Sequence, residues 1–466
     1  MSEQPKRAPK NPRGTRRQRG PKGPTSRRRD GARVRALKAL MAVHTGAPSQ
    51  VALNRALTHP KALSSVDRRL VTTLVYGTLR HRRRLDGWIA PACRDGLRGL
   101  ELEPLTVLRL GTLQMAMLSR IPSHAAVHAT VEAAKALIPK RKVGFVHAVL
   151  RRLDRERPWI DDDRGGDLPP WLERRILGFA AQLDVNPAAM LEAFEASAPV
   201  HVHVFGPHRD KTIADAAKEG IELKPVAAIP GAFLLESGEL FSSEVYDRRR
   251  LLAQDAASTA IAHWLDAQKD DRVADIAAGR GVKSLTLTRA GAKVYAVDLD
   301  EDKLDSAIEL HQRAGCPVPE KVLCDASLTI PLDAESFDRV LVDAPCTGLG
   351  TVRRRPEIRH RRSAADIYRM SLLQARMLEA SAKLVRPGGV LVFATCSFAE
   401  EEGPMLVEDF LRSHPDFRRA PLEAPWCQPM LDRRGDLRSH PLLEGMDSFY
   451  GARLLRDRPK GVEATS

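Results

Sequence analysis

The sequence predicts a multidomain protein in which an all-α domain is followed by an α/β domain built on a parallel sheet. Its 466 residues are enough for about two to four domains of ordinary size. Between Val34 and Leu153 the apolar residues recur at helical spacing, which predicts about five or six helices and no strand. After Leu251, short strand-like runs alternate with helical runs, and this alternation is typical of a parallel sheet covered by helices on both faces.

The composition is that of a soluble globular protein, with 43% hydrophobic and 29% charged residues and no apolar run of membrane-spanning length. The 74 Lys and Arg residues exceed the 59 acidic residues, so the net charge of +15 favours a polyanionic partner, first nucleic acid and second an acidic membrane surface. The six cysteines form no C-x-x-C pair, so we expect a reducing compartment, no zinc site and no disulfide. Because the basic start lacks the apolar core of a signal peptide, we expect a cytoplasmic protein.

We expect five segments along the chain. These are a disordered basic tail (1–30), a helical RNA-binding domain (31–158), a small α/β linking subdomain (159–247), the α/β domain (248–457) and a flexible tail (458–466). The first 30 residues hold eleven Lys or Arg, two acids and five prolines, and such a segment cannot bury enough apolar surface to offset chain entropy. Two interpretations of this tail stay open, a solubilising arm and a polyelectrolyte arm that raises affinity for RNA.

Arginines cluster in the helical domain around residues 80–84 and 141–152, which indicates either a solvated face or a phosphate-contacting surface. In the linking subdomain, helical runs at 171–179 and 187–194 precede an alternating stretch, 201–205, that predicts a strand. His201 and His203 lie in that stretch without a carboxylate or cysteine at ligand spacing, so we expect no metal site there.

Five strand-like runs define the expected parallel sheet: residues 272–276, 293–297, 321–323, 339–342 and 390–394. Ligands of such a sheet bind outside the carboxyl ends of its strands. The first end carries Gly279-Arg-Gly281, where the lack of a Cβ permits a tight turn and a close approach to a ligand. The second ends at Asp298, an acid placed to accept the hydroxyls of a ribose. Together they predict an adenosine-containing cofactor.

Two common cofactor patterns are absent from this loop. The dinucleotide fingerprint G-x-G-x-x-G fails because its third glycine position is Ser284. The P-loop pattern fails because Lys283-Ser284 is not preceded by a G-x-x-x-x-G arrangement. A nucleoside cofactor without a pyrophosphate therefore fits better, and S-adenosylmethionine is the common one.

The ends of the fourth and fifth runs carry Cys346 and Cys396, which would place two thiols beside the cofactor crevice. A thiolate next to a methyl donor suggests methylation of cytosine at C5, because addition of the thiolate to C6 makes C5 nucleophilic. Asp343 is positioned to hold the N3 and 4-amino edge of the pyrimidine. A thiol of ordinary pKa is mostly protonated at neutral pH, so we expect positive charge near the nucleophile. Six arginines between residues 353 and 362 follow the Cys346 loop, and we expect them to grip RNA phosphates.

These motifs resemble the RsmB/NOP/Sun family of RNA 5-methylcytosine methyltransferases. The shared motifs are D-A-P-C-T-G at 343–348, R-R-R-P-E at 353–357, T-C-S at 395–397 with acids at 400–402, Q-D-A-A-S at 254–258 and G-M-D-S-F-Y at 445–450. In the N-terminal part, residues 68–80, 120–122 and 145–152 resemble the NusB-like RNA-binding domain of the bacterial members. The resemblance spans residues 33–456. It implies an all-α NusB-like domain and an α/β Rossmann-like class I methyltransferase domain.

The resemblance also implies roles for individual residues. Cys396 would be the nucleophile, Cys346 would assist breakdown of the covalent adduct, and Asp343 would contact the base and lie near the cofactor. The implied binding set for S-adenosylmethionine is Ala277, Ala278, Gly279, Arg280, Gly281, Val282, Lys283, Asp298 at the ribose, Asp325 at the adenine, and Asp343.

The chain departs from the family pattern at several positions. In the cofactor loop, Arg280 replaces a proline and Val282 replaces a glycine. Gly403 replaces an asparagine after the acids, and the usual Arg and Asn around residues 203–206 are absent. These departures place the loop shape and some substrate contacts in question.

We therefore expect a monomeric RNA cytosine-C5 methyltransferase that acts on 16S ribosomal RNA. Three alternatives stay open: a noncatalytic RNA-binding factor for ribosome assembly, a 5-methylcytosine methyltransferase acting on tRNA, and a DNA cytosine methyltransferase with its nucleophile in the Pro-Cys loop.

Overall fold

The computed structural model describes residues 26–58, 63–160, 166–206, 208–226, 229–247 and 250–458. The chain divides into two compact units. The first comprises the described residues up to Thr78 and from Leu85 to residue 160, and the second comprises Leu79–Arg84 and the described residues from 166 onward. Most of the predicted N-terminal tail, and the C-terminal one after residue 458, lie outside the described residues. The first helix begins at Ser26, inside the predicted tail.

The first unit is helical, as predicted. Its α-helices are α1 (Ser26–His44), α2 (Ser49–Leu57), α3 (Ser65–Arg80, which ends in the second unit), α4 (Arg82–Ile89, which begins there), α5 (Leu102–Met117), α6 (Ser123–Ala134) and α7 (Lys140–Glu156). The described residues thus form seven α-helices here, and the prediction of five or six was wrong. A single residue, His81, separates α3 from the eight-residue α4, so the two share one uninterrupted apolar pattern.

Helix α5 forms the centre of this unit, because it is buried around most of its circumference. Two polar networks accompany its apolar contacts. The buried Arg109 donates to both carboxylate oxygens of Asp86, at 2.6 and 2.8 Å, and Gln114 bridges Arg33 and Thr130. Such pairing is needed because an unpaired charge or amide in a core is costly.

The linking region contains two helices followed by a small antiparallel sheet. Its elements are α8 (Pro170–Gln182), α9 (Pro187–Glu195), β1 (His201–Val204), α10 (Arg209–Lys218), β2 (Glu222–Pro225), β3 (Ala232–Ser237), α11 (Glu244–Asp247) and β4 (Leu251–Ala253). The strand order is β2-β3-β1-β4. The predicted strand corresponds to β1, and Phe205 lies just beyond its end.

An eight-stranded sheet forms the centre of the remaining chain. Its elements are α12 (Ala256–Trp264), β5 (Arg272–Ile276), α13 (Val282–Arg289), β6 (Lys293–Asp298), α14 (Glu301–Arg313), β7 (Glu320–Leu323), β8 (Phe337–Asp343), α15 (Ile358–Arg361), α16 (Ala364–Ala382), β9 (Val385–Thr395), α17 (Pro404–Ser413), β10 (Phe417–Arg419), β11 (Leu437–Arg438) and β12 (Tyr450–Arg456). The main path runs β10-β12-β9-β8-β5-β6-β7, and β11 pairs with β12.

All five predicted strand runs lie in β5 to β9, which are parallel to one another. The central strands have apolar cores on both faces: Val340 and Val342 pack on one side of β8, and Leu341 packs on the other. A strand buried on both faces has a nearly continuous apolar sequence, which explains why these strands were predictable. The antiparallel strands β10 to β12 were not predicted. None of the helices in the described ranges is long and apolar enough to cross a membrane.

Candidate active site

The loop between β5 and α13 turns through three residues in the left-handed region: Ala277 (φ 59°), Gly279 (φ 58°) and Gly281 (φ 73°). A Cβ added at Gly281 would lie 2.5 Å from Cβ of Ala307 on α14, so glycine is required there for space as well as for conformation. Ala277 adopts the same region without that freedom, at a cost of about 1 kcal/mol. The loop is thus held in a defined shape at the edge of the sheet.

Asp298 fastens this loop to the end of β6. Its Oδ2 accepts a hydrogen bond from the backbone N–H of Gly279 at 2.9 Å, and its Oδ1 accepts one from Asp300 at the same distance. The neighbouring side chain of Leu299 is 69% exposed, an unusual position for a large apolar residue. A carboxylate beside open apolar surface suits a nucleoside, whose ribose is polar and whose base is flat and apolar.

Asp325 lies beyond β7, whose Leu323 pairs with Asp298 in the sheet. The N–H and Oγ of Ser327 both donate to Asp325 Oδ1, at 2.9 and 2.7 Å, and these bonds lower the pKa of Asp325. The structure therefore brings Asp325 and Asp298 to one edge of the sheet, as predicted.

Arg280 and Val282, the two residues of the cofactor loop that depart from the family pattern, make their side-chain contacts outside the loop. Arg280 extends to α14, where its Nη1 donates to Ser306 Oγ at 2.9 Å. Val282 packs against the small apolar cluster of Phe205, Leu252 and Leu285. The substituted side chains therefore leave the backbone turn at Gly279 and Gly281 intact.

Lys283 and Asp343 form an ion pair between the cofactor loop and the end of β8. Burial acts to lower the pKa of Lys283, but its interactions with Asp343, Asp275 and Cys396 raise that pKa overall. The lysine therefore stays charged at neutral pH. It supplies the positive charge that the sequence analysis expected near a reactive thiol.

Cys346 and Cys396 converge, with their Sγ atoms 3.1 Å apart. The reason is the sheet topology, because β8 and β9 are parallel neighbours whose carboxyl ends meet, with Asp343 opposite Ala394. Both cysteines are partly buried. The predicted convergence of the two thiols is therefore confirmed.

The surroundings of the Cys346 thiol oppose its ionisation. Its hydrogen bond to Cys396, its burial, and the negative charges of Cys396 and Glu402 raise the pKa of Cys346 well above its ordinary value. At neutral pH, Cys346 is therefore protonated.

Glu402 connects the two cysteine loops. This carboxylate has no exposed surface. It accepts hydrogen bonds from the backbone N–H of Thr347 at 2.8 Å, from Ser397 Oγ at 2.6 Å, from Gln374 Nε2 at 3.1 Å and from Thr347 Oγ1. Because Thr347 follows Cys346 and Ser397 follows Cys396, Glu402 fixes the spacing of the two thiols. In the sequence alone, Glu402 stands out only as one of the acids at residues 400–402.

A second connection runs behind the Cys396 loop. The N–H of Gly350 donates to the carbonyl of Cys396 at 3.0 Å, and the N–H of Ser448 donates to the carbonyl of Gly350 at 3.1 Å. A Cβ at Gly350 would lie 1.8 Å from the Ser448 carbonyl oxygen, so no other residue fits in this position. The segment that precedes β12 therefore supports the backbone of the predicted nucleophile.

Two of the six arginines in the run are buried, so the prediction that the run grips phosphates is wrong for Arg353 and Arg359. Arg359 has no exposed surface and donates to the carbonyl of Phe194 at 2.8 Å. Arg353, only 4% exposed, donates to the carbonyls of Gly445 and Met446. These side chains hold distant segments together, and the more exposed cations of the run are Arg355, Arg361 and Arg362.

Arg354 joins three of the sequence motifs. Its guanidinium donates to Asp255 at 2.6 Å and to Asp447 at 2.8 Å. Burial and the nearby charge of Asp255 raise the pKa of Asp447 to about 7. His201 contacts Asp255 through Nδ1 at 3.2 Å and the carbonyl of Glu444 through Nε2 at 3.0 Å. Among the residues that the structure describes, no cluster of side chains is suited to hold a metal ion.

A parallel sheet with a glycine turn, a ribose-type acid and two adjacent thiols defines a Rossmann-like methyltransferase. Comparison with known proteins gives the particular family. Residues 262–455 match the family described as 16S rRNA methyltransferase RsmB/F, and residues 30–155 match the NusB family. The ribosomal RNA small subunit methyltransferase B of Thermus thermophilus is 36% identical, over 91% of this chain and 97% of its own length. The probable enzyme of that name from Bacillus subtilis is 30% identical, over 89% and 96%.

The chain therefore belongs to the ribosomal RNA small subunit methyltransferase B family and is an S-adenosylmethionine-dependent methyltransferase. Two solved structures share its fold. PH0851 matches with a TM-score of 0.77 at 23% identity, over 91% of this chain and 98% of that one. NSun6 from Pyrococcus horikoshii with SFG matches with a TM-score of 0.55 at 17% identity, over 62% and 99%.

Proposed function

We propose that this protein methylates C5 of a cytosine in 16S ribosomal RNA through a covalent bond between Cys396 and C6 of the base. The observation that carries this proposal is the pair of thiols 3.1 Å apart, beside the Lys283–Asp343 ion pair, at the carboxyl edge of the sheet. The names of the relatives support the ribosomal substrate. Methylation of tRNA is the alternative for the same chemistry.

Cys396 is the nucleophile because it is the thiol that interacts with the cation of Lys283. Its thiolate forms the S–C6 bond, and the electron pair of the C5–C6 double bond makes C5 nucleophilic. S-adenosylmethionine, when bound at the glycine turn with Asp298 and Asp325, supplies the electrophilic methyl group that C5 takes up. Asp343 hydrogen-bonds the N3 and 4-amino edge of the base, which stabilises the adduct.

Cys346 acts after the adduct has formed. While Cys396 is a thiolate, its hydrogen bond and charge help to keep Cys346 protonated. Once Cys396 is bonded to C6, that charge is gone and the pKa of Cys346 falls. Cys346 then gives its proton to solvent, and the resulting thiolate accepts the C5 proton. The electron pair of the C5–H bond forms the C5–C6 double bond again, and the electron pair of the C6–S bond leaves with Cys396 as a thiolate. The two thiols therefore act in sequence because they are coupled.

The experiment is an assay of 5-methylcytosine in 16S ribosomal RNA with full-length protein and S-adenosylmethionine. We expect Cys396→Ala to lower methyl transfer by at least about a thousandfold while RNA binding survives. We expect Cys346→Ala to accumulate an RNA–protein adduct that resists denaturing electrophoresis. Undiminished turnover of Cys396→Ala would refute the nucleophile assignment, and an adduct that needs Cys346 instead of Cys396 would favour the DNA-methyltransferase type of mechanism.

The noncatalytic alternative rested on the altered cofactor loop. That support is weakened, because Arg280 bonds to Ser306 and Val282 packs against a separate apolar cluster, while Gly279 and Gly281 form the left-handed turn. Calorimetric titration with S-adenosylmethionine separates the two hypotheses, since a ribosome-assembly factor without activity need not bind it. A parallel assay with tRNA tests the alternative substrate.

A further inference from the structure

A cavity of about 520 Å³ is lined by residues of the linking region and of the adjacent ends of helices α12 and α13. This volume is in the range of small-ligand sites. The N-terminus of α13 carries Lys283 at the methyl-transfer site, whereas its C-terminal residue Arg289 lines the cavity. The length of the helix separates the two by about 10 Å along its axis. The cavity is therefore distinct from the methyl-transfer site.

Four rings in contact form one wall of this cavity. The centroids of Phe205 and His203 are 4.2 Å apart, those of His203 and His263 are 5.7 Å apart, and those of His263 and Trp426 are 6.3 Å apart. Burial, with the nearby His263, lowers the pKa of His203 to about 3, and burial lowers the pKa of His263 as well. Both imidazoles are therefore uncharged at neutral pH. Because His203 and Phe205 are only 3% and 6% exposed, the partly exposed rings of His263 and Trp426 are the ones open to a stacking base.

Cations accompany this aromatic wall. The guanidinium carbon of Arg289 lies 5.3 Å from the centre of the Phe205 ring, and the half-exposed Arg209 also lines the cavity. The acid in the lining, Asp266, lies 3.9 Å from Arg339 outside the cavity. A stacking surface with adjacent guanidinium groups is suited to a nucleotide, whose base is flat and whose phosphate is negative.

We propose that this cavity binds one nucleotide of single-stranded RNA away from the methylated cytosine, with its base on the aromatic wall and its phosphate at Arg209. The choice of RNA as the source rests on the proposed function. Two observations support it: the chain carries a net charge of +15, and bases displayed on single strands are recognised by stacking on aromatic side chains. A free nucleotide has the same chemistry and is the competing source.

The test measures binding of a fluorescent 12-nucleotide single-stranded RNA to the full-length protein by anisotropy. Ala424→Trp fills the cavity, and its matched control is Ala217→Trp on the exposed face of α10. Arg209→Ala removes the cation, and its control is Lys211→Ala on the same helix. We expect about tenfold weaker binding for Ala424→Trp and about fivefold for Arg209→Ala, with no change in either control.

Further measurements distinguish an RNA nucleotide from a free nucleotide as the ligand. They also separate the failure of this proposal from the failure of the proposed function. Affinity for S-adenosylmethionine shows that each variant is folded, and formation of 5-methylcytosine by the unmodified protein tests the proposed function separately. RNA binding by Ala424→Trp equal to that of Ala217→Trp would overturn the assignment. If 5′-mononucleotides bind the unmodified protein and not Ala424→Trp, while RNA binding is equal, the cavity is a free-nucleotide site and the RNA assignment is wrong.

Discussion

The loops after the neighbouring strands β8 and β9 each carry a cysteine at the same edge of the sheet, yet the electrostatic surroundings of the two thiols differ. Cys396 interacts with the buried cation of Lys283. Cys346 faces Cys396 and the carboxylate of Glu402, and its pKa is raised. The sheet topology therefore brings the two thiols together, whereas the neighbouring charges give them different chemistry.

The largest effect should come from Lys283→Met, which removes the charge that distinguishes the two loops. We expect about a hundredfold slower methyl transfer, because the positive charge that interacts with Cys396 and pairs with Asp343 is lost. Single-turnover rates at saturating S-adenosylmethionine and RNA measure this.

The matched control is Lys293→Met, at the exposed start of β6, which should behave as the unmodified protein. A rate for Lys283→Met equal to that of Lys293→Met would mean that the charge of Lys283 does not support the nucleophile.

A smaller effect is expected for Glu402→Gln, which keeps the size of the side chain but leaves one acceptor oxygen for donors in both loops. The spacing of the thiols should relax and methyl transfer should fall about twentyfold. The readout specific to spacing is the rate at which a short bifunctional thiol reagent links Cys346 to Cys396. That rate should fall in Glu402→Gln and stay unchanged in Glu400→Gln. An unchanged linking rate in both variants would show that Glu402 does not set the distance.

The smallest effect concerns Asp275, the buried acid beneath Lys283. Burial raises its pKa to about 7, and Ser284 Oγ donates to it at 2.6 Å. Because the folded pKa lies above the unfolded value of about 3.9, the stabilising contribution is complete below about pH 4 and is lost as the pH rises through about 7. Relative to the unmodified protein, Asp275→Asn should therefore gain on the order of 1 kcal/mol between pH 5 and pH 8.

Urea unfolding at the two pH values measures this difference, and Asp302→Asn on the exposed surface of α14 is the control. A parallel pH dependence of Asp275→Asn and the unmodified protein would place the titration elsewhere.

Much of the sheet and the meeting of the cysteines could be predicted from the sequence. Strands β5 to β9 are mostly apolar, and the carboxyl ends of neighbouring parallel strands share one edge. The antiparallel strands β10 to β12 lack so clear an apolar pattern. Glu402 follows two other glutamates and resembles a surface acid, although it is fully buried. The ion pairs of Arg354 could not be predicted either, because its partners Asp255 and Asp447 lie 99 and 93 positions away.

The contact of Gly350 with Ser448 has a consequence for biosynthesis. The backbone that carries Cys396 is supported by a residue 52 positions later, so a growing polypeptide displays both thiols on the sheet before their support has been translated. We infer that nascent chains that end before Asp447 lack methylating ability even when their central strands have formed. Synthesis of the segment that contains Ser448 and β12 then sets the moment at which the enzyme becomes competent.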